Sequence, residues 1–594
     1  MTMRKNNLSI HSENILPIIK QWLYTDQDIF LRELISNACD ALSKLKVLGH
    51  EGPFEISLEI DRDAKKLILT DTGIGMTEEE VEKYIAQIAF SGAQEFVSKY
   101  QANDAIIGHF GLGFYSAYMV ASKVEIDTRS FQENAQPVYW SCDGTSSYEI
   151  GAGKRSERGT QITLTLNEDS LDYLDESKLR ALLLKHSRFL PYPIHLAGKV
   201  VGGETPLWMK APSECTDKDY LEFYRTLHPA DPDPIFWIHL NVDYPFHLQG
   251  ILYFPKIHRK FDPSHPAIQL YCNRVFVSEN CKEILPDYLS ILKGVIDSPD
   301  IPLNVSRSTL QLDKKVKQLS GHISKKVSDR LTTLLKTDRK KYIESWPDIE
   351  MIVKLGILQE EKFYERIQEA LIWKNNLDEW TTLLEYLERN PNKKVLYAVE
   401  DRTGVVLQAY KEKKTELLFS NAYIDTALLS FLEEKHACKF QRVDSSLDET
   451  LLDPSREQTI LDAEGKTAAS RIAEFIRKAV GVADVEAKSF ASDAIPGMVV
   501  LREEERRLRD YLTLTQGKQI PDLLSKKTFV VNTNNRLVQA IGRLQNRSPE
   551  VAENLAKHLF DLTLLAQKEL EPSQVEQVVA RQTTMLETLA GMIG

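Results

Sequence analysis

Two glycine-punctuated loops constrain this chain more than any other feature. The first, Asp71-Thr-Gly-Ile-Gly75-Met76, places a carboxylate at the end of a strand-like stretch, Lys66–Thr70, and follows it with two glycines that let the backbone turn tightly. The second, Gly108-His109-Phe110-Gly111-Leu112-Gly113-Phe114, runs into a helical pattern, Tyr115-Ser-Ala-Tyr-Met-Val. Glycines at a helix start leave backbone N–H groups free to cradle an anion, and the helix dipole favours negative charge there. Taken singly, the first is equally a hairpin turn and the second a surface loop. Neither is a dinucleotide fingerprint, and no Gly-x-x-x-x-Gly-Lys-Ser/Thr loop occurs anywhere.

Upstream, Glu33, Asn37 and Asp40 are spaced i, i+4 and i+7 within a helical pattern running from about Leu8 to Gly49. They share one helix face, with Leu34, Ile35, Ala38 and Leu42 on the other. An amide oxygen ligates a hard cation such as Mg²⁺, and a carboxylate holds and deprotonates a water. The outer face of an ordinary amphipathic helix would look the same. Asp71, if buried, can accept a hydrogen bond from the exocyclic amine of adenine. Downstream, Gly159-Thr160 opens a strand with alternating Ile162, Leu164 and Leu166, and a hydroxyl there is available to a nucleotide. Each piece is weak alone, but the four in this order define a candidate ATP site.

The 594 residues exceed what one hydrophobic core organises, so several domains are expected. Thr77-Glu-Glu-Glu80 reads as a capping box opening a helix. Strands are expected at Phe54–Ile60, Lys123–Thr128, Pro137–Cys142 and Gly159–Leu166, giving a largely antiparallel sheet with helices on one side. Gly-rich His195–Pro206 reads as a first linker. Beyond it come strands Ile235–Val242, Phe246–Tyr253 and Leu270–Val277, helices from Leu310 to about Ala370, and strands Lys394–Val399 and Val405–Ala409. Composition changes again near Asp462–Thr467. The expected fold class is α+β multidomain: an ATP-binding α/β sandwich over 1–198, an α/β middle domain over 206–462 and a mostly helical domain over 466–594.

The net charge of −12 opposes a large nucleic-acid surface, which needs clustered Lys and Arg. The short basic runs Arg339-Lys-Lys341 and Lys411-Glu-Lys-Lys414 read as solvated helix faces. Six scattered cysteines form neither a disulfide framework nor a zinc site. No signal peptide and no apolar run long enough to span a bilayer is visible, so a cytoplasmic location without membrane attachment is expected.

The four boxes resemble those of the ATPase superfamily shared by gyrase, MutL, histidine kinases and the heat shock protein 90 chaperones. The wording Phe-Leu-Arg-Glu-Leu-Ile-Ser-Asn-Ala, Asp-Thr-Gly-Ile-Gly-Met and Gly-Phe-Tyr-Ser-Ala-Tyr-Met-Val is nearest the last of these. Asn273-Arg-Val-Phe-Val, Ile284-Leu-Pro-Asp-Tyr-Leu, Lys293-Gly-Val-Ile-Asp-Ser and Leu303-Asn-Val-Ser-Arg-Ser-Thr-Leu-Gln311 resemble that family's middle domain. The missing acidic tail motif and the ending Gly-Met-Ile-Gly594 are similar to its bacterial HtpG branch.

The resemblance implies a Bergerat-type ATPase fold with ATP and Mg²⁺ bound. Glu33 would be the general base, with Arg307 and Gln311 assisting at the γ-phosphate, and Asn37 the Mg²⁺ ligand. Asp71 would contact adenine, Asp40, Lys44, Gly75 and Met76 would also bind the nucleotide, and Gly108, His109, Phe110, Gly111, Leu112, Gly113, Phe114 and Thr160 would hold phosphates and base surroundings. It further implies client proteins, other chaperones as partners, and a homodimer through the C-terminal domain. Three positions depart from the family: Phe90 replaces a usual Lys, Tyr84 a usual Asn and His109 a common Gln.

Two stripes close the chain. Val551, Leu555, Leu559, Leu562 and Leu565 form one, and Val575, Val578, Val579, Met585, Leu586 and Leu589 the other. Pattern alone fits a four-helix dimer seam or an intramolecular hairpin. The charged segment Leu501-Arg-Glu-Glu-Glu-Arg-Arg-Leu508-Arg-Asp-Tyr-Leu512 reads as an exposed amphipathic face, with a client-facing role as the alternative. The rival functions are a DNA-directed ATPase, which net charge opposes, a non-hydrolysing scaffold, and a histidine kinase, for which no sensor segment is visible.

Overall fold

The structure is a computed structural model. It describes residues 26–87, 90, 96, 111–145, 147–256, 268–279, 284–301, 314–399, 404–421, 424–445, 447–456, 466–482, 484–508, 527–567, 569–570 and 572–593. Of the site residues expected from sequence, Gly108, His109, Phe110, Arg307 and Gln311 lie outside these. The chain divides into two compact units, Met1–Val327 and Ser328–Gly594.

The first unit is built on an eight-stranded sheet of β1 (Ile56–Asp61), β2 (Lys66–Asp71), β3 (Ala121–Arg129), β4 (Val138–Cys142), β5 (Glu149–Ala152), β6 (Gly159–Leu166), β7 (Ile194–Leu196) and β8 (Lys199–Gly202). Their order is β5-β4-β3-β6-β2-β1-β7-β8, and every pair is antiparallel except β1 with β7. Strands alternate buried and half-exposed residues, as one-sided burial requires. The buried side of the unit contains helix Ile29–Val47, with Phe30, Leu34, Ile35 and Leu42 in one core with Leu58, Leu69, Ile126 and Leu164. Helix Glu176–Ser187 packs beside it.

The segment read as a linker, His195–Pro206, instead supplies β7 and β8, a hairpin that extends the sheet. Its glycines mark a turn, with Ala197 and Gly198 at positive φ, rather than a free tether. Of the helix read from Leu8 to Gly49, residues 8–25 lie outside the described residues; residues 26–28 are not helical, and helix runs from Ile29 to Val47. The Asp26 carboxylate accepts the N–H of Asp28 at 3.0 Å, a local bond that competes with helix. The capping box at Thr77 forms as expected, with Thr77 and Glu80 bonded reciprocally.

The unit's second sheet has order β12-β11-β13-β10-β9, from β9 (Phe236–Val242), β10 (Leu248–Phe254), β11 (Ile268–Cys272), β12 (Val275–Ser278) and β13 (Lys293–Asp297). The single strand expected at Leu270–Val277 is a hairpin, because Asn273 and Arg274 both take positive φ and reverse the chain. Val275 of β12 belongs to the core of the first sheet, and Phe276 meets helix Glu176–Ser187.

In the second unit, helices Arg339–Gln359, Glu361–Ile367 and Asp425–His436 accompany a parallel sheet of β16 (Lys394–Val399), β17 (Leu418–Ser420) and β18 (Lys439–Arg442), β14 (Ile372–Lys374) and β15 (Trp380–Thr382) forming a separate pair. The strand expected at Val405–Ala409 is part of helix Gly404–Glu412, the crossover between β16 and β17. Parallel pairing demands such a crossover, and that requirement outweighs the β-propensity of Val-Val. Helices Ala468–Val480, Arg536–Leu544, Pro549–Ala566 and Val575–Ile593 surround β19 (Asp484–Lys488), β20 (Gly497–Val500) and β21 (Thr528–Asn532).

Candidate active site

Helix Ile29–Val47 is not amphipathic in the ordinary sense. From Ile29 to Asp40 every residue is buried except Asn37. Its polar stripe therefore does not face bulk water: Arg32, Glu33, Ser36 and Asp40 are all at most 6% exposed. Burying charge is costly unless it is paired or awaits a ligand. The site interpretation of the stripe gains from this, and the outer-face alternative fails.

Glu33 has two distinguishable oxygens. Arg32 donates to Oε1 through Nη2 at 2.8 Å and Nε at 3.1 Å. Oε2 lies against the glycine loop, where a Cβ on Gly113 would stand 2.5 Å from it. Glycine at 113 is thus a steric requirement of the carboxylate. The loop continues as a 3₁₀ helix, Gly113–Met119, where the sequence pattern predicts a helical run. Phe114, Tyr115 and Tyr118 of that turn are buried in the core with Ile35 and Ala38. Arg32 escaped the sequence reading, although it sits next to Glu33 in the chain.

Asp71 ends β2 and is 3% exposed. Burial pushes its carboxyl up to about 7, against hydrogen bonds from the Gly73 and Thr160 backbone N–H groups and the charge of Arg155. The Gly73 N–H reaches Asp71 Oδ1 at 2.8 Å. Register places Asp71 opposite Thr160, and Thr160 opposite Thr128 on β3. The Thr128 hydroxyl accepts the Met76 N–H at 3.1 Å, donates to Gly159 O at 3.1 Å, and meets Thr160 Oγ1 at 2.9 Å. One row across three strands thus joins the first loop to the strand entry. Thr128 was also missed; its signal is a hydroxyl on the inward face at the end of an alternating strand.

The remaining expected residues converge here. Cys39 feels both Asp40 and Asp71, and burial first, then those two charges, pushes its thiol up. Burial lowers the Lys44 ammonium, while Asp40 and Glu80 pull it back. Gly75 and Met76 complete the turn after Asp71, anchored by the Ile74 N–H on Ala41 O at 3.1 Å. Leu112, half-buried, and Gly111 precede Gly113. Glu33, Asn37, Asp40, Lys44, Asp71, Gly75, Met76, Gly111, Leu112, Gly113, Phe114 and Thr160 therefore all belong to one domain core or its rim. No group of three His, Cys, Asp or Glu side chains suited to a metal occurs among the described residues. A single exposed amide, Asn37, is a donor set that fits Mg²⁺ carried in on a polyphosphate, because this ion keeps waters and phosphate oxygens as its main ligands.

Two departures from the family pattern touch each other. The rings of Tyr84 and Phe90 stack at 6.0 Å with 20° between planes.

A helix, two glycine turns and a mixed sheet arranged in this way define an ATPase module of the kind found in histidine kinases, gyrase and HSP90. Residues 25–176 match the family described as histidine kinase-, DNA gyrase B-, and HSP90-like ATPase. Residues 198–592 match the family described as Hsp90 protein. The chain is 40% identical over 581 residues to the chaperone protein HtpG of Bacteroides fragilis, covering 91% of this chain and 84% of that one. Similarity to HtpG of Porphyromonas gingivalis is 40% over 596 residues, covering 93% and 87%. HtpG of Desulfotalea psychrophila is 29% identical over 599 residues, covering 95% and 96%. The chain belongs to the HSP90 family. No helix among the described residues is long and apolar enough to cross a membrane.

Proposed function

We propose that this protein is an ATP-dependent molecular chaperone in which Glu33 is the general base for hydrolysis. The observation that carries the reading is the division of labour on the Glu33 carboxylate: Arg32 engages Oε1, and Oε2 is left facing the glycine turn at Gly113. A carboxylate oriented through one oxygen can take a proton from water through the other. Asp71 accepts the adenine amine in its ionised form. Thr160 and Thr128 steady the base side, and backbone N–H groups of Gly111–Phe114 meet phosphate oxygens. Asp40 and Lys44 line the remaining rim. Asn37 would hold Mg²⁺, which when bound would supply positive charge beside the phosphates.

By family resemblance, Gly108, His109 and Phe110 complete the phosphate loop, while Arg307 and Gln311 act at the γ-phosphate. The three domains 1–198, 206–462 and 466–594 then work as a clamp on client proteins, with conformational closure limiting turnover. The exposed Val551, Leu562, Leu565, Val575, Val579 and Leu586 of the last two helices support a homodimer seam, since Leu586 is 67% exposed and Leu565 56%. A cytoplasmic setting, and cooperation with other chaperones, accompany this reading.

Glu33→Ala is expected to bind ATP normally and to lose hydrolysis by at least about a hundredfold. Ordinary turnover in that variant would remove Glu33 from the role. Arg307→Ala should slow turnover and leave ADP affinity nearly unchanged. Leu586→Glu should convert dimer to monomer in sedimentation; an unchanged mass would place the seam elsewhere.

A further inference from the structure

Gly111 and Gly113 each stand against a different neighbour. A Cβ on Gly113 would stand 2.5 Å from Glu33 Oε2. One on Gly111, whose φ is +65°, would stand 2.5 Å from the carbonyl oxygen of Phe90 and 2.7 Å from its carbonyl carbon. The Phe90 peptide thus bears on the turn whose far end bears on the carboxylate.

The Phe90 ring is 40% exposed, yet it is held. It stacks on Tyr84, and the Lys83 ammonium lies 5.2 Å from the Tyr84 centroid and 5.4 Å from that of Phe90. A cation over two stacked rings is attracted to both faces. A second tie reaches the same place. The Tyr115 hydroxyl, two residues beyond Gly113, donates to the carbonyl oxygen of Ile85, which caps helix Glu78–Tyr84. The end of this short helix therefore grips the glycine turn on both sides. One grip is the Phe90 peptide, pinned by its ring, and the other is the Tyr115 hydroxyl.

We propose that Lys83, Tyr84 and Phe90 are positioning residues that hold the Gly111–Gly113 turn against Glu33 and thereby set the rate of ATP hydrolysis. The inference rests on Glu33 as general base. Contacts of this kind matter out of proportion to their strength, because a misplacement of about 1 Å near reacting groups costs up to about a hundredfold in rate.

The test is steady-state ATP hydrolysis by the full chain, with ADP affinity and the thermal transition measured alongside. Phe90→Ala and Tyr84→Ala are each expected to lower kcat about tenfold with KM and melting temperature nearly unmoved. The double variant should be no worse than either single one, because either change alone breaks the stack. Tyr84→Phe should rescue the loss. Lys83→Met should cost about two- to fivefold, with recovery in Lys83→Arg. Wild-type kcat in Phe90→Ala, fully multiplicative losses in the double variant, or losses that track a fall in melting temperature would each overturn the proposal. Glu33→Ala separates the two claims. If it still turns over, the base assignment fails; if it is dead while Phe90→Ala is normal, only the positioning role fails.

Discussion

Two buried ionic regions in this molecule solve opposite problems. Around the last strands of the second unit, each buried carboxylate has a cation. Arg506 Nη1 lies 2.7 Å from Glu569 Oε1, and its Nε lies 3.4 Å from Asp444 Oδ1, which also meets Arg442 at 2.9 Å. Arg507 joins Glu433 and Glu503 at 3.0 and 2.8 Å. Burial alone would raise the Glu503 carboxyl. The Tyr397 hydroxyl, the Arg442 N–H and the Arg507 guanidinium instead hold it below the usual range. In the first unit, Asp71 is as deeply buried, but the Gly73 and Thr160 N–H groups and the charge of Arg155 do not offset burial, and its carboxyl is pushed up. A fully matched cluster is finished structure. An acid that burial still pushes up, beside a glycine turn, marks a candidate ligand site.

The contrast can be broken at the matched cluster first. Arg506→Ala takes away the guanidinium 2.7 Å from the buried Glu569 carboxylate, and should cost about 3–5 kcal/mol in chemical unfolding of the second unit, with ADP affinity unchanged. Removing the acid in the first unit should do the reverse. Asp71→Asn is expected to stabilise the nucleotide domain by about 2–4 kcal/mol above pH 7 while weakening adenosine binding. The sign follows from linkage: the folded carboxyl titrates near 7 and the unfolded one near 3.8, so ionisation penalises the fold as pH rises between them. The advantage of Asn should therefore fade as pH falls towards 4. An advantage constant with pH would show that Asp71 is not held neutral.

Adenosine affinity in the wild type sharpens the same point, because the amine needs the ionised acceptor. Below about pH 7 affinity should drop about tenfold per unit, flatten above it, and lose this dependence in Asp71→Asn. A smaller signal comes from His186, whose ring burial lowers its pKa to about 4, with Arg32 and Lys185 reinforcing the shift and Asp28 opposing it. Folded neutral and charged when unfolded below about 6.5, it should remove about 3 kcal/mol of stability between pH 6.5 and 4, and His186→Phe should flatten that slope. Smallest of all, breaking the exposed Lys65–Glu168 pair at 2.6 Å by Lys65→Ala should move stability by less than about 1 kcal/mol.

The elements that carry the candidate site were legible in sequence where chemistry and spacing coincide. Glu33, Asn37 and Asp71 stand on elements whose period or glycines announce them, and the Thr77 capping box was equally plain. What sequence could not show was burial. Arg32 looks like any helix arginine until the helix proves to be covered on nearly all sides. Thr128 gains its role only through strand register, which joins residues 32 positions apart. The fold failed to read where long-range pairing overrode local preference. The β7–β8 hairpin was hidden by glycines that resemble a linker, and Val405–Ala409 was drawn into a crossover helix. In the charged segment after Leu501, alternating Glu and Arg suggested a wet surface. Glu503 and Arg507 are instead only about 17–18% exposed, and Arg506 3%, because their partners are supplied by distant strands and helices.

The docking of β12 on helix Glu176–Ser187 has a practical consequence for dissecting the molecule. This strand is an outer member of its sheet; Val275 belongs to a core of residues that precede Gly203, and Phe276 packs partly on His186. A fragment begun after the β7–β8 hairpin would carry a bare apolar margin with unpaired backbone groups, an invitation to strand-on-strand self-association. Fragments intended to isolate the middle of this chain will stay monodisperse only if helix Glu176–Ser187 travels with them.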